Sequence, residues 1–447
     1  MHSLSSRHAD LFHEDFVNEP YWWQMYRPTS GELVDVPKKT TVAIIGGGYA
    51  GLSTALELSK QGIDCVVFEA NTLGFGASTR NAGGLSGGVN IGRRLGGGSI
   101  KYAPGEREAL FNDAARSFTY IKNFIEKENI QCQWNLAGRF VGAWTPKHYR
   151  QQEKRTEYLN KYAHSGAYMV PKEEQHKIID TNLYYGGQVI QQSATINPAL
   201  YYKALLDLCQ SQESIIICAQ NKVLSVAGTT GHWKLHTERG NIQAKKVVLA
   251  TNGYTENLIP ELKKSIIPIE SHTIVTEALD KELAQSIMPA NMLINDTLRV
   301  RSYYRLTPDG QRILYGGRGR FTRTDYIGHS RALYQLMVER LPQLKGTKIS
   351  FAWSGYLGFT FDSIPHIGQK DGIYYVLGCN GSGVAMMSFL GNQLAQKIAG
   401  LPAYECHYDR PIPEHQLYQG KPWFLGPVGG VFKVLDKFDR FLARWQS

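Results

Sequence analysis

Thr40-Thr41-Val42-Ala43-Ile44-Ile45-Gly46-Gly47-Gly48-Tyr49-Ala50-Gly51 opens the most informative stretch of this chain, and Asp64-Cys65-Val66-Val67-Phe68-Glu69 closes it. The first six residues are an apolar run ended by glycines, the pattern of a strand buried on both faces. From Tyr49 to Lys60 the apolar spacing (Leu52, Ala55, Leu56) is helical, and Gly62 stops it. A second buried strand follows, so one βαβ unit is complete within about 30 residues. Gly46, Gly48 and Gly51 fit G-x-G-x-x-G, with Ala50 inside the first helical turn. Gly46 permits a tight turn, Gly48 lets the backbone approach a pyrophosphate, and Gly51 lets the helix lie against the strand. The helix N-terminus offers free N–H groups to the anion. Glu69, 18 positions beyond Gly51, is placed to accept hydrogen bonds from ribose hydroxyls. The alternative, a glycine-rich turn without nucleotide, lacks a reason for all four features to coincide.

The remaining composition fits an ordinary globular protein. The chain has 447 residues with 43% hydrophobic and 20% charged, which excludes wholesale disorder. Its net charge of +10 predicts an anionic partner without choosing among nucleic acid, membrane and acidic ligand. The six cysteines (Cys65, Cys132, Cys209, Cys218, Cys379, Cys406) are scattered without a CxxC pair. That argues against a disulfide scaffold, a zinc ribbon or a redox pair, and no metal site is expected. The first residues show no apolar signal segment, and Val42 to Leu58 is too broken by glycine to span a bilayer. A cytoplasmic setting is the expectation, and no nucleic-acid module is seen.

Helices are expected over 104–129, 146–163, 197–212 and 384–398, with strands over 215–218, 233–236, 247–250 and 371–377. Residues 265–278 and 296–321 suggest an antiparallel sheet with Pro308-Asp309-Gly310 as a hairpin turn. Nucleotide-type elements recur at the start, middle and end, so the domains are expected to be interleaved. The fold class is α/β, a Rossmann-type FAD-binding domain with an antiparallel-sheet substrate domain. The boundaries are 1–38 for an aromatic preamble; 39–95, 190–255 and 351–400 for the FAD part; 96–189 and 256–350 for the substrate part; 401–447 for a carboxyl-terminal extension. FAD rather than NAD follows from Gly74-Phe75-Gly76-Ala77-Ser78-Thr79-Arg80-Asn81-Ala82-Gly83-Gly84. Small residues, one cation and one amide suit a second approach to the pyrophosphate and the isoalloxazine edge.

With these motifs the chain resembles the FAD-dependent amino-acid/amine oxidase family, which includes D-amino acid oxidase, glycine oxidase and sarcosine oxidase, and within it the γ-glutamylputrescine oxidoreductase branch. The resemblance runs from about Tyr21 to Gly400. It rests on the Rossmann strand, residues 76–84, Val247 to Thr255, Tyr304 to Gly310, Trp353-Ser354-Gly355, Thr360-Phe361-Asp362, Pro365 to Gly368 and Gly381-Ser382-Gly383-Val384. It implies FAD contacts at Ser78, Arg80, Asn81, Ala82 and Gly83. It further implies contacts at Val223, Thr251, Asn252, Gly253, Gly355 and Asp362, and at the N-terminus of the last helix (Gly381, Ser382, Gly383, Val384). It also implies non-covalent FAD, because the residues at the attachment positions near Gly355 and Asn81 are not nucleophiles. No lysine lies between Arg312 and Arg318, where oxygen-using relatives carry one, so oxygen and an electron carrier remain alternative acceptors.

For the substrate, an amine or amino acid, Arg299, Arg301, Tyr303 and Arg305 would share one face of a strand and Tyr304 the other. An arginine offers a bidentate clamp to a carboxylate. Arg301, Tyr304, Tyr254, His272 and Trp353 are the candidate catalytic residues. Between Arg299 and Arg323 stand seven arginines against one acid, Asp309, which places much of the positive excess in the substrate sheet. The carboxyl end from Val431 reads as a basic amphipathic helix. It is expected to pack on the body or a partner subunit, with a membrane surface as the alternative. The function expected is oxidation of a C–N bond by hydride transfer to flavin. The rivals are a dehydrogenase feeding a quinone or carrier protein, and a non-catalytic FAD-containing partner-binding subunit.

Overall fold

The computed structural model describes residues 10–87, 91, 102–318, 325–402 and 404–443. Strands Lys39–Ile45, Cys65–Phe68 and Ile215–Cys218 pair in parallel, and Gly240–Leu249 joins Lys39–Ile45 on the other side, itself carrying Ile373–Leu377 in parallel. Their apolar runs divide by parity. Val42, Ile44, Cys65, Val67, Val248 and Val376 face helices Tyr49–Lys60, Glu106–Lys127, Pro198–Gln210 and Gly383–Ala399. Ala43, Ile45, Val66, Phe68, Val247 and Leu249 face the antiparallel strands Val223–Thr229 and His232–Thr237 through Val223, Trp233 and Leu235. Burial on both faces is why these strands read as continuous apolar runs. The first and last helices cross closely: a Cβ at Gly391 would lie 2.4 Å from the Ala50 carbonyl oxygen.

Among the described residues, a second sheet has nine strands in the order Phe12–Val17, Ile349–Phe359, Ile267–Thr276, Ile313–Gly317, Ser302–Leu306, Leu293–Asp296, Arg139–Gly142, Gly187–Ile190, Ala167–Val170. Phe140, Val189, Ile274, Ile294, Tyr304 and Tyr315 point to one side, where Leu333 and Met337 of helix Tyr326–Arg340 cover them. Arg340 and Asp296 form an ion pair at 2.8 Å inside this core, both side chains essentially without exposure. The hairpin closes at Pro308-Asp309-Gly310, where Gly310 N–H donates to the Thr307 carbonyl at 2.8 Å and Gly310 has φ of 72°. That left-handed geometry is what glycine supplies.

The interleaving goes further than the sequence-drawn boundaries. Ile349–Phe359, set mostly with the FAD part, is a strand of the nine-stranded sheet, and Phe12–Val17 of the preamble is its parallel edge. The C-terminal helix begins at Leu425 and docks on the body. Its Asp436 accepts from Arg299 N–H (3.2 Å), Val300 N–H (3.2 Å) and Arg299 Nη1 (2.9 Å). Asp439 accepts from the same guanidinium at 2.6 Å, so the two aspartates of this basic helix are its anchors. Among the described residues no helix is long and apolar enough to cross a membrane.

Candidate active site

Between the sheets lies a cavity of about 1670 Å³. Its first wall is the glycine-rich turn. A Cβ at Gly51 would stand 1.9 Å from the Gly46 carbonyl oxygen, and one at Gly46 2.7 Å from the Ala250 carbonyl oxygen. Gly51 does not itself line the cavity; it lets the helix close on the strand. The helix cap, Gly48, has no side-chain capping bond, and neither does Ser382 at the start of Gly383–Ala399. Gly48 and Ser382 both line the cavity, so two positive helix ends open onto it. Glu69 accepts from Gly47 N–H and Asn71 N–H, each at 3.0 Å. Burial raises the pKa of its carboxyl and these backbone amides pull it back.

Residues 74–84 wrap the opposite rim. Three successive carbonyls of this loop are held from behind: Arg80 by Trp353 Nε1 (2.7 Å), Asn81 by Trp22 Nε1 (2.8 Å) and Ala82 by Arg305 Nη1 (3.2 Å). Arg80, Asn81 and Ala82 line the cavity whereas Trp353, Trp22 and Arg305 do not, so these carbonyls turn away from it. The Arg80 guanidinium lies 4.6 Å from the Trp23 ring and 4.8 Å from that of Phe75, and burial lowers its pKa. Asn252, with φ of 45°, accepts from Gly378 N–H and Cys379 N–H, each at 3.1 Å, tying the segment after strand Gly240–Leu249 to the turn before helix Gly383–Ala399. Thr251, Asn252, Val223, Ser78, Gly355, Gly381, Gly383 and Val384 line the cavity.

The floor is the nine-stranded sheet. One rung of paired positions runs Gln188, Val141, Asn295, Tyr303, Gly316, Thr273 across six strands. All but Gly316 line the cavity. Gly316 is needed there: a Cβ would fall 2.2 Å from the Tyr303 ring, which lies across it so that the phenol meets Ser271 Oγ (3.2 Å) and Thr273 Oγ1 (3.1 Å). Burial raises the Tyr303 pKa and those two hydrogen bonds oppose the rise. Arg301, Arg318 and Glu270 also line the cavity, and the Glu270 charge partly offsets the lowering of the Arg318 pKa by burial.

Several sequence-derived candidates stand elsewhere. Tyr304 is fully buried on the other face, bonded to the Tyr184 hydroxyl at 2.9 Å and stacked on Tyr315; alternation along the strand puts Tyr303, not Tyr304, in the cavity. His272 alternates away likewise and stacks on His329 at 3.6 Å. Trp353 positions the loop and does not reach the cavity. Asp362 accepts from the His366 ring at 3.0 Å, off the cavity wall. Gly83 and Gly253 are packing positions whose Cβ atoms would meet backbone at 2.1 and 2.9 Å. Tyr254 does line the cavity, its hydroxyl accepting from Tyr356 N–H at 3.4 Å. Of the arginine cluster, Arg299 is paired with Asp436 and Asp439, Arg305 is spent on backbone carbonyls, and Arg312 donates to the Thr276 carbonyl. Arg320, Arg323 and the terminal Trp445 lie outside the described residues. Sequence reading set Tyr303 on the arginine face without making it a candidate catalytic residue, and missed Arg139, Gln152 and Asn295 and also Leu425, Val428 and Phe432 of the C-terminal helix, all on the cavity wall.

Residues 41–397 match the family described as FAD dependent oxidoreductase. The chain belongs to that family. It is 30% identical over 379 residues to the gamma-glutamylputrescine oxidoreductase of Escherichia coli, covering 80% of this chain and 83% of that protein. It is 22% identical over 397 residues to the glycine oxidase of Geobacillus kaustophilus, across 80% and 92% of the two chains. The crystal structure of that enzyme shares the fold with a TM-score of 0.69 at 18% identity, over 85% of this chain and 100% of that one. L-proline dehydrogenase from P. horikoshii gives 0.68 at 21% identity, over 84% and 97%. The cavity fits the cofactor this membership implies. Only glycine can occupy the turn at Gly46 and Gly51, two helix N-termini face the space, and Glu69 sits 18 residues beyond the motif. The protein is an FAD-dependent oxidoreductase of this family.

Proposed function

We propose that this enzyme oxidises the C–N bond of a primary or secondary amine or amino acid, of the γ-glutamylputrescine or N-substituted amino-acid kind. The observation that carries the reading is that the dinucleotide cradle and a polar sheet face share one cavity. FAD, when bound, accepts the two electrons of the C–N oxidation. The protein's own part is to bind and orient. Tyr303, Ser271 and Thr273 supply a hydroxyl cluster, Glu270 a carboxylate for a cationic nitrogen, and Arg301 and Arg318 positive charge for an anionic group. No acid–base dyad is required, because an oriented neutral amine gives up its α-hydrogen directly. Identity to gamma-glutamylputrescine oxidoreductase supports an amine as the electron donor.

A second reading concerns the acceptor. The C-terminal helix lines the cavity with Val428 and Phe432 while Val431 (56%), Val434 (65%) and Phe438 (56%) stand exposed. An apolar outer face beside the cavity favours a dehydrogenase handing electrons to a quinone or carrier. Anaerobic mixing with γ-glutamyl amines, N-methyl amino acids, cyclic imino acids and D-amino acids tests the donor. Bleaching of the flavin by one class supports the proposal, and failure of every class refutes it. Oxygen uptake after bleaching then separates oxidase from dehydrogenase.

A further inference from the structure

Strand Arg139–Gly142 directs Arg139 and Val141 into the cavity and Phe140 into the core beneath. Val141 faces Asn295 on one neighbouring strand and Gln188 on the other. From above, helix Pro146–Ala163 sends down Gln152, whose Nε2 donates to the Val141 carbonyl at 2.8 Å. Arg139, Gln152 and Asn295 thus gather round one backbone position. The guanidinium also reaches the 74–84 loop, since a Cβ at Gly84 would come within 3.8 Å of Arg139 Nη2.

What sets this group apart is what it lacks. Arg139 Nε is buried without a partner, and among the described residues the guanidinium makes no side-chain hydrogen bond or ion pair. Burial pushes its pKa down to about 10, and among the described residues no acid opposes that shift. Gln152 Oε1 and Asn295 Oδ1 are buried without partners too. Their amide orientations are fixed by the nitrogens, which face the Val141 and Ser302 carbonyls. A half-buried cation without a counter-ion and two buried, idle acceptors weaken a fold. A ligand satisfies all three if it carries a carboxylate for the guanidinium fork and an ammonium for the two amide oxygens.

We propose that Arg139, Gln152 and Asn295 form the recognition site for a non-reacting α-amino-acid head group on the amine substrate. The carboxylate sits on Arg139 and the ammonium between the amide oxygens, so that the reacting C–N bond lies elsewhere in the cavity. The inference rests on the C–N oxidation proposed above. It narrows the substrate to amines that bear an amino-acid group distant from the oxidised nitrogen.

The probe is L-glutamic acid γ-butylamide, which has the head group and no terminal amine to oxidise, titrated calorimetrically into the FAD-loaded enzyme. Binding to the wild type should weaken about 10- to 100-fold in Arg139→Met and about 3- to 10-fold in Gln152→Leu. The α-carboxamide analogue should bind wild type and Arg139→Met alike. Arg139→Met should melt at or above the wild-type temperature, because it removes a half-buried charge that has no counter-ion among the described residues. Absence of binding to the wild type, equal binding by Arg139→Met, or a lower melting temperature would overturn the assignment. If other amines bleach the flavin while the probe fails, C–N oxidation stands and the head-group site falls. If the probe binds with this dependence while no amine bleaches the flavin, the site stands and the reaction falls.

Discussion

Replacing Gly316 by alanine tests whether the cavity floor is built as described. Gly316 has no left-handed φ, so an alanine fits the backbone, and in a strand interior it should gain about 0.5–1 kcal/mol. Its methyl would stand 2.2 Å from Cε2 and Cζ of Tyr303 and 2.4 Å from the hydroxyl, where carbon contacts settle at about 3.5–4.0 Å. The ring must retreat by more than about 1 Å, breaking the bonds to Ser271 and Thr273, each worth about 0.5–1.5 kcal/mol net. Overpacking adds about 1–3 kcal/mol, so Gly316→Ala should destabilise by about 2–4 kcal/mol. The clash is with one side chain, which makes a double-mutant cycle decisive. In a Tyr303→Leu background the same substitution should cost less than about 1 kcal/mol, a coupling of at least about 1 kcal/mol. Urea unfolding of the FAD-loaded variants, followed by tryptophan emission, measures both. Equal costs in the two backgrounds would mean that Tyr303 does not lie across Gly316, and the proposed hydroxyl cluster would go with it.

Gly51→Ala places a methyl 1.9 Å from the Gly46 carbonyl oxygen, a backbone clash that cannot relax; purification should yield protein without the flavin absorbance of the wild type. Burial and the neighbouring His329 hold the His272 pKa down to about 4, with Glu270 opposing and Arg318 adding. Since the unfolded value is about 6.5, unfolded chains bind a proton that the native state refuses between those limits. Stability should therefore fall as pH drops from about 6.5 to 4, and His272→Phe should flatten that limb in pH-dependent melting curves. Asp436→Asn weakens the anchor of the C-terminal helix; limited proteolysis should release the helix faster, and substrate KM should change because Val428 and Phe432 line the cavity. Acid precipitation should leave free FAD in the supernatant; flavin remaining with the pellet would contradict non-covalent binding.

The cofactor half of this molecule was legible in the sequence because its geometry is imposed locally. G-x-G-x-x-G works through backbone contacts within one βαβ unit, so Gly46, Gly51 and Glu69 could be placed from spacing alone. The substrate half is set by cross-strand register, which no local pattern encodes. Alternation correctly put Tyr303 and Tyr304 on opposite faces, but not which face meets the cavity. A run of arginines from Arg299 to Arg318 drew attention for its charge, yet Arg299, Arg305 and Arg312 are consumed by the fold. Arg139, with no charged neighbour in sequence and no ion pair among the described residues, carried no compositional signal. Its unpaired state appears only when the strands around it are assembled. The same is true of the C-terminal helix, whose amphipathic pattern predicted docking on some surface without naming Arg299 as the contact.

The three carbonyls at Arg80, Asn81 and Ala82 join these halves. Each is held by a side chain from a different place: Trp353 and Arg305 from two strands of the substrate sheet, and Trp22 from the preamble. Arg305 also binds the Ile196 carbonyl, just before helix Pro198–Gln210 of the cofactor layer. A hydrogen bond fixes the direction of a peptide plane as well as its position. Three in succession leave the loop little freedom to rotate. The loop's inner surface is therefore shaped by residues that never touch the cavity. A ligand that orders the loop must then stabilise the native sheet contacts behind it, because binding to the native state alone raises the free energy of unfolding for everything that unfolds with it. The loop and the sheet behind it are thus held by one set of contacts, which is why Trp22 of the preamble sits beside the cavity wall without lining the cavity.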